Sequence, residues 1–358
     1  PEVNLKLNIK PIPGLNYQQV IGYENRQWEL HQYWPSTHRS EIDNSRKGHA
    51  HLAFSKTENL TSEGYFSYVK DFKGGHNLNA TAGYSYFEVN GENFGMDNYN
   101  FSVDGIKYWD IGQGSYLTDG KAGMSSGKSV TERLFSFFAR ANYSYQDKYM
   151  LSASIRHEGS SKFAADNRWA NFWSATAGWR ISNEEFMKDF EWLDDLKIRF
   201  GYGVTGNNDF SATYMANMLG SDTNWMMPNG TWAYSYGKSQ NVNPNLGWEE
   251  KKEWNLGVDY SFFEGRLYGK FDYYRRKVDN LLFSVKVPQP PYTQGSQMQN
   301  IGSMESKGWE FEVGGDIIRT KDFTWSSSMN LSHNTGKILT LEGDNSYHNG
   351  NGFVAPGT

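Results

Sequence analysis

Leu134-Phe135-Ser136-Phe137-Phe138-Ala139-Arg140-Ala141-Asn142-Tyr143-Ser144-Tyr145 decides how the whole chain is read. Phe135, Phe137, Ala139, Ala141, Tyr143 and Tyr145 make one face entirely apolar or aromatic. Ser136, Arg140, Asn142 and Ser144 make the other polar, with Phe138 the exception. A period of two over this length is a strand with two unlike faces. The pattern returns at Leu196, Ile198, Phe200, Tyr202 and Val204, set between Lys197, Arg199, Gly201, Gly203 and Thr205. It returns again at Trp254, Leu256, Val258, Tyr260 and Phe262, set between Asn255, Gly257, Asp259 and Ser261.

Worked outward from these stretches, the alternation predicts about twelve strands, near 2–10, 15–24, 58–70, 76–89, 132–145, 149–158, 170–181, 194–206, 250–263, 267–283, 307–318 and 322–335. Many are long enough for the roughly 9–11 residues a tilted strand needs to cross a bilayer. Short connections, as at 146–148 and 264–266, alternate with long loops near 25–57, 90–131, 159–169, 207–249, 284–306 and 336–358. Tight turns at one end and long loops at the other are the plan of an antiparallel transmembrane β-barrel, with its long loops extracellular. A soluble sandwich has no reason to segregate loop length by end.

Composition agrees. The chain has 358 residues, 16% of them aromatic, with 37 glycines, a formal net charge of −5 and no cysteine. Mean hydropathy is only −0.73. Aromatics and glycine suit strands rather than helices or disorder. A wall with one face in lipid and one in water keeps mean hydropathy low. No run of about eighteen apolar residues offers a membrane-spanning helix. The absence of cysteine excludes disulfides, thiolate metal sites and cysteine nucleophiles. The mild acidity argues against nucleic acid as a partner. The start on Pro1 and the missing signal peptide read as a mature or internal piece of a longer protein.

Tyr143, Tyr145 and Tyr149 straddle the turn 146–148, and Phe262, Phe263 and Tyr268 straddle 264–266. They read as an aromatic girdle at a membrane interface, against the alternative of cross-strand packing in a soluble sheet. Ser182-Asn183-Glu184-Glu185, followed by Phe186, Phe190 and Leu193, fits a capping box and predicts one or two helical turns.

Several motifs resemble chemistry and are discounted. Gly201, Gly203 and Gly206 have dinucleotide-fingerprint spacing, but the strand before them alternates and a loop follows. The segment 123–129 resembles a phosphate loop with one residue too few between its glycines, and reads as a flexible loop. His49 and His51, with His31 and His38 nearby, have no acidic or thiol partner at ligand spacing and read as solvated loop histidines. Asp194-Asp195 and Glu249-Glu250 sit beside lysines and read as interfacial or loop charge rather than glycosidase carboxylates. No catalytic residue, cofactor or metal is expected, and the chain is not read as an enzyme.

Function is expected in the long loops. The stretch 207–249 carries Trp225, Trp232, Tyr234, Tyr236 and Trp248. The stretch 90–131 carries Tyr99, Phe101, Tyr108, Trp109 and Tyr116. Flat rings beside amides and hydroxyls suit stacking on sugars, or contact with peptide. Tyr108, Trp109, Trp225, Trp232, Tyr234 and Tyr236 are the candidate ligand contacts; loops packing on one another is the alternative.

Longer motifs add a resemblance. Arg140-Ala-Asn-Tyr143-Ser-Tyr145-Gln-Asp147-Lys148-Tyr149 runs into Leu151-Ser-Ala-Ser-Ile155-Arg156, then Gly159-Ser160-Ser161-Lys162-Phe163 and Asn167-Arg168-Trp169. Ala177-Gly178-Trp179-Arg180-Ile181, Tyr202-Gly203-Val204-Thr205-Gly206-Asn207, Asn243-Pro244-Asn245-Leu246-Gly247-Trp248-Glu249, Asn300-Ile301-Gly302 and Lys307-Gly308-Trp309-Glu310 follow. In order and spacing, strongest from about 132 to 334, this resembles the SusC/RagA-type TonB-linked outer-membrane transporters of the Bacteroidetes. The family's usual Arg-x-Asp-Gly-Ser-Ser-Arg-Phe stands here as Arg156-His157-Glu158-Gly159-Ser160-Ser161-Lys162-Phe163.

The resemblance implies part of a 22-stranded barrel whose plug domain is not included, so that this piece is the middle of a transporter. It implies import of an oligosaccharide or oligopeptide, with a SusD-like surface lipoprotein as lid. Energy would come from TonB–ExbB–ExbD through the missing N-terminal region. A passive porin, or a soluble β-rich carbohydrate-binding protein, would share parts of the strand pattern.

Overall fold

In a computed structural model, residues 1–216, 219–341, 347–349 and 352–354 are described. The strands are, in chain order, β1 (Glu2–Ile12), β2 (Leu15–Trp34), β3 (His49–Phe72), β4 (His76–Tyr99), β5 (Gly123–Lys128), β6 (Glu132–Tyr145), β7 (Tyr149–Ser160), β8 (Trp169–Arg180) and β9 (Leu193–Asn207). They continue as β10 (Leu219–Met226), β11 (Trp232–Lys238), β12 (Glu249–Phe262), β13 (Leu267–Asp279), β14 (Leu282–Lys286), β15 (Ser296–Asn300), β16 (Ser303–Arg319) and β17 (Thr324–Thr340). Two short strands, β18 (Tyr347–Asn349) and β19 (Gly352–Val354), come last. One five-residue helix, α1 (Arg39–Asp43), follows β2.

A thirteen-stranded sheet runs β1-β2-β3-β4-β6-β7-β8-β9-β12-β13-β16-β17, with β5 added on β4. Neighbours along this path follow chain order except where β5, β10, β11, β14 and β15 intervene inside connections. The all-β, antiparallel expectation therefore holds.

The alternation placed the wall strands well and their far ends less well. β2 and β3 extend to Trp34 and from His49, and β4 reaches Tyr99, so the first connections are 35–48 and 100–131 rather than 25–57 and 90–131. In these extensions both faces carry polar residues, with Arg26 and Gln32 on the face of Trp28 and Leu30 and Lys56 on the face of Leu52 and Phe54, so period two is interrupted there. β13 stops at Asp279 rather than near 283, because Asn280 turns to a positive φ of 57°. β16 and β17 run from Ser303 and to Thr340, beyond the expected ends. The long stretches 207–249 and 284–306 are not bare loops: the first encloses the hairpin β10–β11, and the second takes in β15 and most of β14, which begins at Leu282. Part of the expected loop 336–358, namely 342–346, 350–351 and 355–358, lies outside the described residues.

The chain divides into two compact units. One comprises Pro1–Lys6, Val20–Ser62 and Tyr86–Arg133; the other comprises Leu7–Gln19, Glu63–Ser85 and Leu134–Thr358. In the first, the expected phosphate-loop lookalike is no flexible loop. It forms β5 and pairs with Glu92–Asp97 of β4, serine and glycine fitting the strand as readily as a turn. Asp104 ties the connections together, accepting from the Ser36 amide at 2.9 Å, the Ser36 hydroxyl at 2.7 Å and the Tyr33 hydroxyl at 2.8 Å.

In the second unit the two faces of the wall differ. Ile155 lies opposite Trp173, Phe200 opposite Leu256, and Val258 opposite Phe271. Ile155, Trp173, Phe200, Leu256 and Phe271 are all exposed, where a sandwich would bury them. The intervening residues form a polar face. Ser154 and Ser174 share a hydroxyl hydrogen bond of 2.7 Å, and the Ser152 hydroxyl donates to Asn142 at 2.7 Å.

Arg199 of β9 donates to both oxygens of Asp259 on β12 at 2.7 Å and reaches across to Asp272 of β13 at 3.2 Å. It passes over Gly257, its register partner, where a Cβ would stand 2.7 Å from the guanidinium carbon and 2.6 Å from an Asp272 oxygen.

The aromatics expected at the tight ends pack on one another there. In the turn 146–148, Gln146 and Asp147 both have positive φ, the geometry that matches hairpin twist. Tyr145 and Tyr149 stack across it at 6.3 Å. Trp192 stacks on Phe262 at 5.6 Å, and Phe262 on Tyr260 at 5.4 Å, beside exposed Phe263 and Tyr268. Asp194 accepts from the amides of Glu264 at 3.1 Å and Gly265 at 2.8 Å, so it caps a turn and the glycosidase reading has no basis.

The expected capping box takes another form. Ile181–Asn183 and Glu185–Met187 are single 3-10 turns. Ser182 donates to Asp195 at 3.0 Å, leaving Glu184 to accept from Lys148 at 3.0 Å, Tyr149 at 2.6 Å and Trp179 at 3.0 Å. These donors, Tyr149 first, then Trp179 and Lys148, hold the Glu184 carboxyl down to about 2 from the ordinary 4.5. A depressed carboxylate contributes stability that is present above its unfolded value and lost as pH falls toward its folded one. The stability difference between the native protein and Glu184→Gln is therefore expected to be largest above about pH 4.5 and to shrink toward pH 2. Thermal unfolding of both in detergent across that range measures it; a difference that stays constant with pH counts against the latch.

Candidate ligand-contacting loops and wall

The long connections of the second unit meet in a packed knot. Phe163, Phe210, Leu246 and Trp248 from connections join Phe172 of β8, Val204 of β9 and Met298 of β15 in one buried cluster. Phe163 lies 4.6 Å from Trp248 and 5.3 Å from Phe210, ring centre to ring centre. Hydrogen bonds fix the chain around it. The Gly247 amide donates to the Asn300 side-chain oxygen at 2.8 Å, and the Asn300 amide group returns to the Gly247 carbonyl at 2.8 Å. Trp248 Nε1 donates to the Arg168 carbonyl at 3.1 Å, and Asn167 to the Asn245 carbonyl at 2.8 Å. Gly206 is required here: a Cβ would stand 2.1 Å from the Phe172 ring. The glycine of the apparent dinucleotide fingerprint thus serves packing, and β9 is an alternating strand as expected.

Trp248, one of the aromatics noted in the stretch 207–249 but not among the candidate ligand contacts, is only 7% exposed and belongs to this knot. Phe101 is likewise buried. Glu249 accepts from the Leu282 amide and the Asn207 side chain, both at 3.0 Å, a loop-anchoring role.

Within the connection 208–248, β11 pairs with β10, Trp232 opposite Met226 and Tyr234 opposite Asn224. Period two places Trp232, Tyr234 and Tyr236 on one face, exposed by 65%, 75% and 70%. Three large rings held open to solvent in a row form a platform with no covering partner among the described residues. Trp225 lies on β10, but its side chain is outside the described part. In the first unit, Trp109 is 77% exposed and packs at 4.8 Å on half-buried Tyr108, which in turn lies 5.4 Å from the His31 ring. The six candidates thus fall into two groups, one in each unit.

Sequence reasoning missed an acidic partner for the histidine pair. Asp97 of β4, 46 and 48 residues from His51 and His49, accepts from both imidazoles. Strand pairing brings them together, and no local spacing signals it. It also missed the Arg199–Asp259–Asp272 group, which lies beside a depression on the polar face lined by Asn142, Ser152, Thr176, Lys197 and Asn255.

Residues 7–356 match the family described as "TonB dependent receptor-like, beta-barrel". The chain is 32% identical to TonB-dependent receptor P39 of Formosa agariphila over 98% of its own length and 33% of that protein's. It is 39% identical to TonB-dependent receptor SusC of Bacteroides thetaiotaomicron over 64% of its length and 23% of that protein's. Among solved structures it is similar to the RagAB peptide importer in its closed-closed state, with a TM-score of 0.86, 25% identity, and coverage of 99% of this chain and 38% of that one. The chain spans about a third or less of the curated relatives named here.

Proposed function

This chain belongs to the TonB-dependent receptor-like β-barrel family, whose place is the outer membrane, and from that premise we propose that it forms the wall and rim loops of an importer for nutrient oligomers, oligosaccharides first. The observation that carries the reading is the two-faced wall: Ile155, Trp173, Phe200 and Leu256 stand exposed for lipid, while the face bearing Arg199, Asp259 and Asp272 is wet. Apolar side chains of this size do not remain exposed in water on one face of a whole sheet. Membership in this family sets aside the passive-porin and soluble readings.

The long connections 35–48, 100–131, 208–248 and 280–302 are assigned to the extracellular side, and the turns with their aromatic girdle to the periplasmic side. A SusD-like surface lipoprotein caps the rim, and TonB–ExbB–ExbD acts through a region outside this chain. Ligand is met by Trp232, Tyr234 and Tyr236 on their open hairpin, with Tyr108, Trp109 and Trp225 as further contacts. A row of exposed rings fits the apolar faces of successive sugar units. An oligopeptide is the second reading, favoured by similarity to the RagAB peptide importer.

Replacing Trp232, Tyr234 and Tyr236 together by alanine is expected to weaken capture on the order of a hundredfold, if each ring contributes on the order of 1 kcal/mol. Uptake of labelled oligosaccharides and peptides by cells carrying the full transporter measures this, with a TonB-deficient strain as control. Unchanged uptake by the triple variant removes the hairpin from the ligand path. Uptake that persists without TonB removes the energised mechanism.

A further inference from the structure

His49 and His51 are two residues apart on β3 and therefore share a face. Asp97 on β4 lies opposite them. His49 Nε2 stands 2.7 Å, and His51 Nδ1 2.8 Å, from the same Asp97 oxygen. The three ligand atoms all lie within 4.8 Å of one another, and the three residues are half-buried. Two imidazoles converging on one carboxylate oxygen are a donor set that a divalent ion completes.

We propose that His49, His51 and Asp97 bind a divalent transition-metal ion of the zinc class, clipping β3 to β4 where the long connections begin. Four-coordinate zinc places nitrogen and oxygen ligands about 2.0–2.2 Å from the metal, hence about 3.3 Å from one another. The present contacts need to open by only about half an ångström to admit the ion. A fourth ligand completes the tetrahedron, a water or an oxygen of a ligand.

Two further features favour a metal over a plain hydrogen-bonded triad. The His49 ring is clamped between Trp34, stacked at 4.6 Å, and Tyr99, stacked at 4.2 Å, so its direction is set before any ion arrives. Behind it, His49 Nδ1 faces an oxygen of Glu41 at 4.0 Å. Glu41 is fully buried, fixed by Arg46 at 2.9 Å. A carboxylate at the far nitrogen is the arrangement that orients metal-bound imidazoles. On binding, each imidazole keeps its proton on the nitrogen away from the ion: His49 carries it on Nδ1, pointing toward the Glu41 carboxylate 4.0 Å away, and His51 carries it on Nε2. The ion meets the Nε2 lone pair, the His51 Nδ1 lone pair and the Asp97 anion, with no redox change.

The set of two nitrogens and one oxygen, without thiolate, suits zinc, copper(II) or nickel(II) rather than calcium or magnesium. The proposal does not depend on what the transporter carries.

The test uses the full-length transporter in detergent, stripped with chelator and then given zinc chloride. Metal retained after desalting is counted for the native protein, His51→Gln and Asp97→Asn. The native protein is expected to hold one zinc more per chain than either variant, and to melt at a higher temperature with zinc but not with magnesium. Glu41→Gln is expected to weaken retention by 10- to 100-fold. Equal zinc content in the native protein and both folded variants overturns the assignment. Should a variant fail to fold, cobalt(II) added to the native protein decides: visible bands of a four-coordinate ion, erased by zinc, support the site, and their absence refutes it.

Discussion

Replacing Ile155 by arginine is expected to destabilise the wall by about 2–4 kcal/mol, the cost of a cation on the lipid face near mid-membrane. Ile155 lies on β7 between Tyr149 at its tight-turn end and the long connection 161–168, is 51% exposed, and faces Trp173 across the pair. Ser152, on the same strand but the opposite face, takes the same substitution with little loss, since a lysine or arginine there joins Asn142 on the wet side. The two variants differ by three positions and by one face. Folded protein in outer-membrane fractions, followed by heat-dependent migration in gels, reports the difference. Equal loss in both variants means that Ile155 does not meet hydrocarbon.

Phe163→Ala is expected to cost about 3–5 kcal/mol, the range for emptying a buried aromatic site. Phe163 is among the most completely buried side chains and touches Phe210 and Trp248 from two other segments. Connections rather than wall strands supply much of this core, so the loss is expected to fall on the rim first. Hydrogen exchange at 161–168 and 243–248 should quicken while the middle of β7 and β8 stays protected. Phe163→Leu should recover most of the loss, because volume is nearly kept. Uniform exchange across wall and rim in Phe163→Ala would mean that the knot is not a separate unit of stability.

The wall was legible because lipid and water impose opposite demands on alternate residues; Phe135 to Tyr145 states the rule without help. The rim was less legible for the same reason. There polar residues fall on both faces of a strand, so the alternation in the extensions of β2, β3 and β4 is broken, and the strand β5 and the hairpins β10–β11 and β14–β15 are too short for period two to outweigh a loop reading. Loop aromatics posed a second difficulty. Trp232 and Trp248 sit in one connection with similar neighbours, yet one stands open and the other is buried, because Phe163, Phe172 and Gly206 arrive from elsewhere in the chain to receive it. The histidine pair failed alike: His49 and His51 were visible, and the carboxylate that joins them lies on the next strand. The residues that carry the family resemblance have a physical meaning in the knot, where Asn167, Asn243, Leu246, Trp248 and Asn300 hold three segments together.

The bare position at Gly257 does more than spare room. Through it one guanidinium binds β9 to β12 and also to β13, two strands away. Slide β12 by a single residue and Leu256 or Val258 occupies that gap; slide it by two and Asn255 or Asp259 does. In each case a carbon blocks the cation's path, and bonds on both sides are lost together. The strand thus carries an alignment mark, and a misthreaded hairpin is rejected by charge as well as by grease while the barrel is still being assembled.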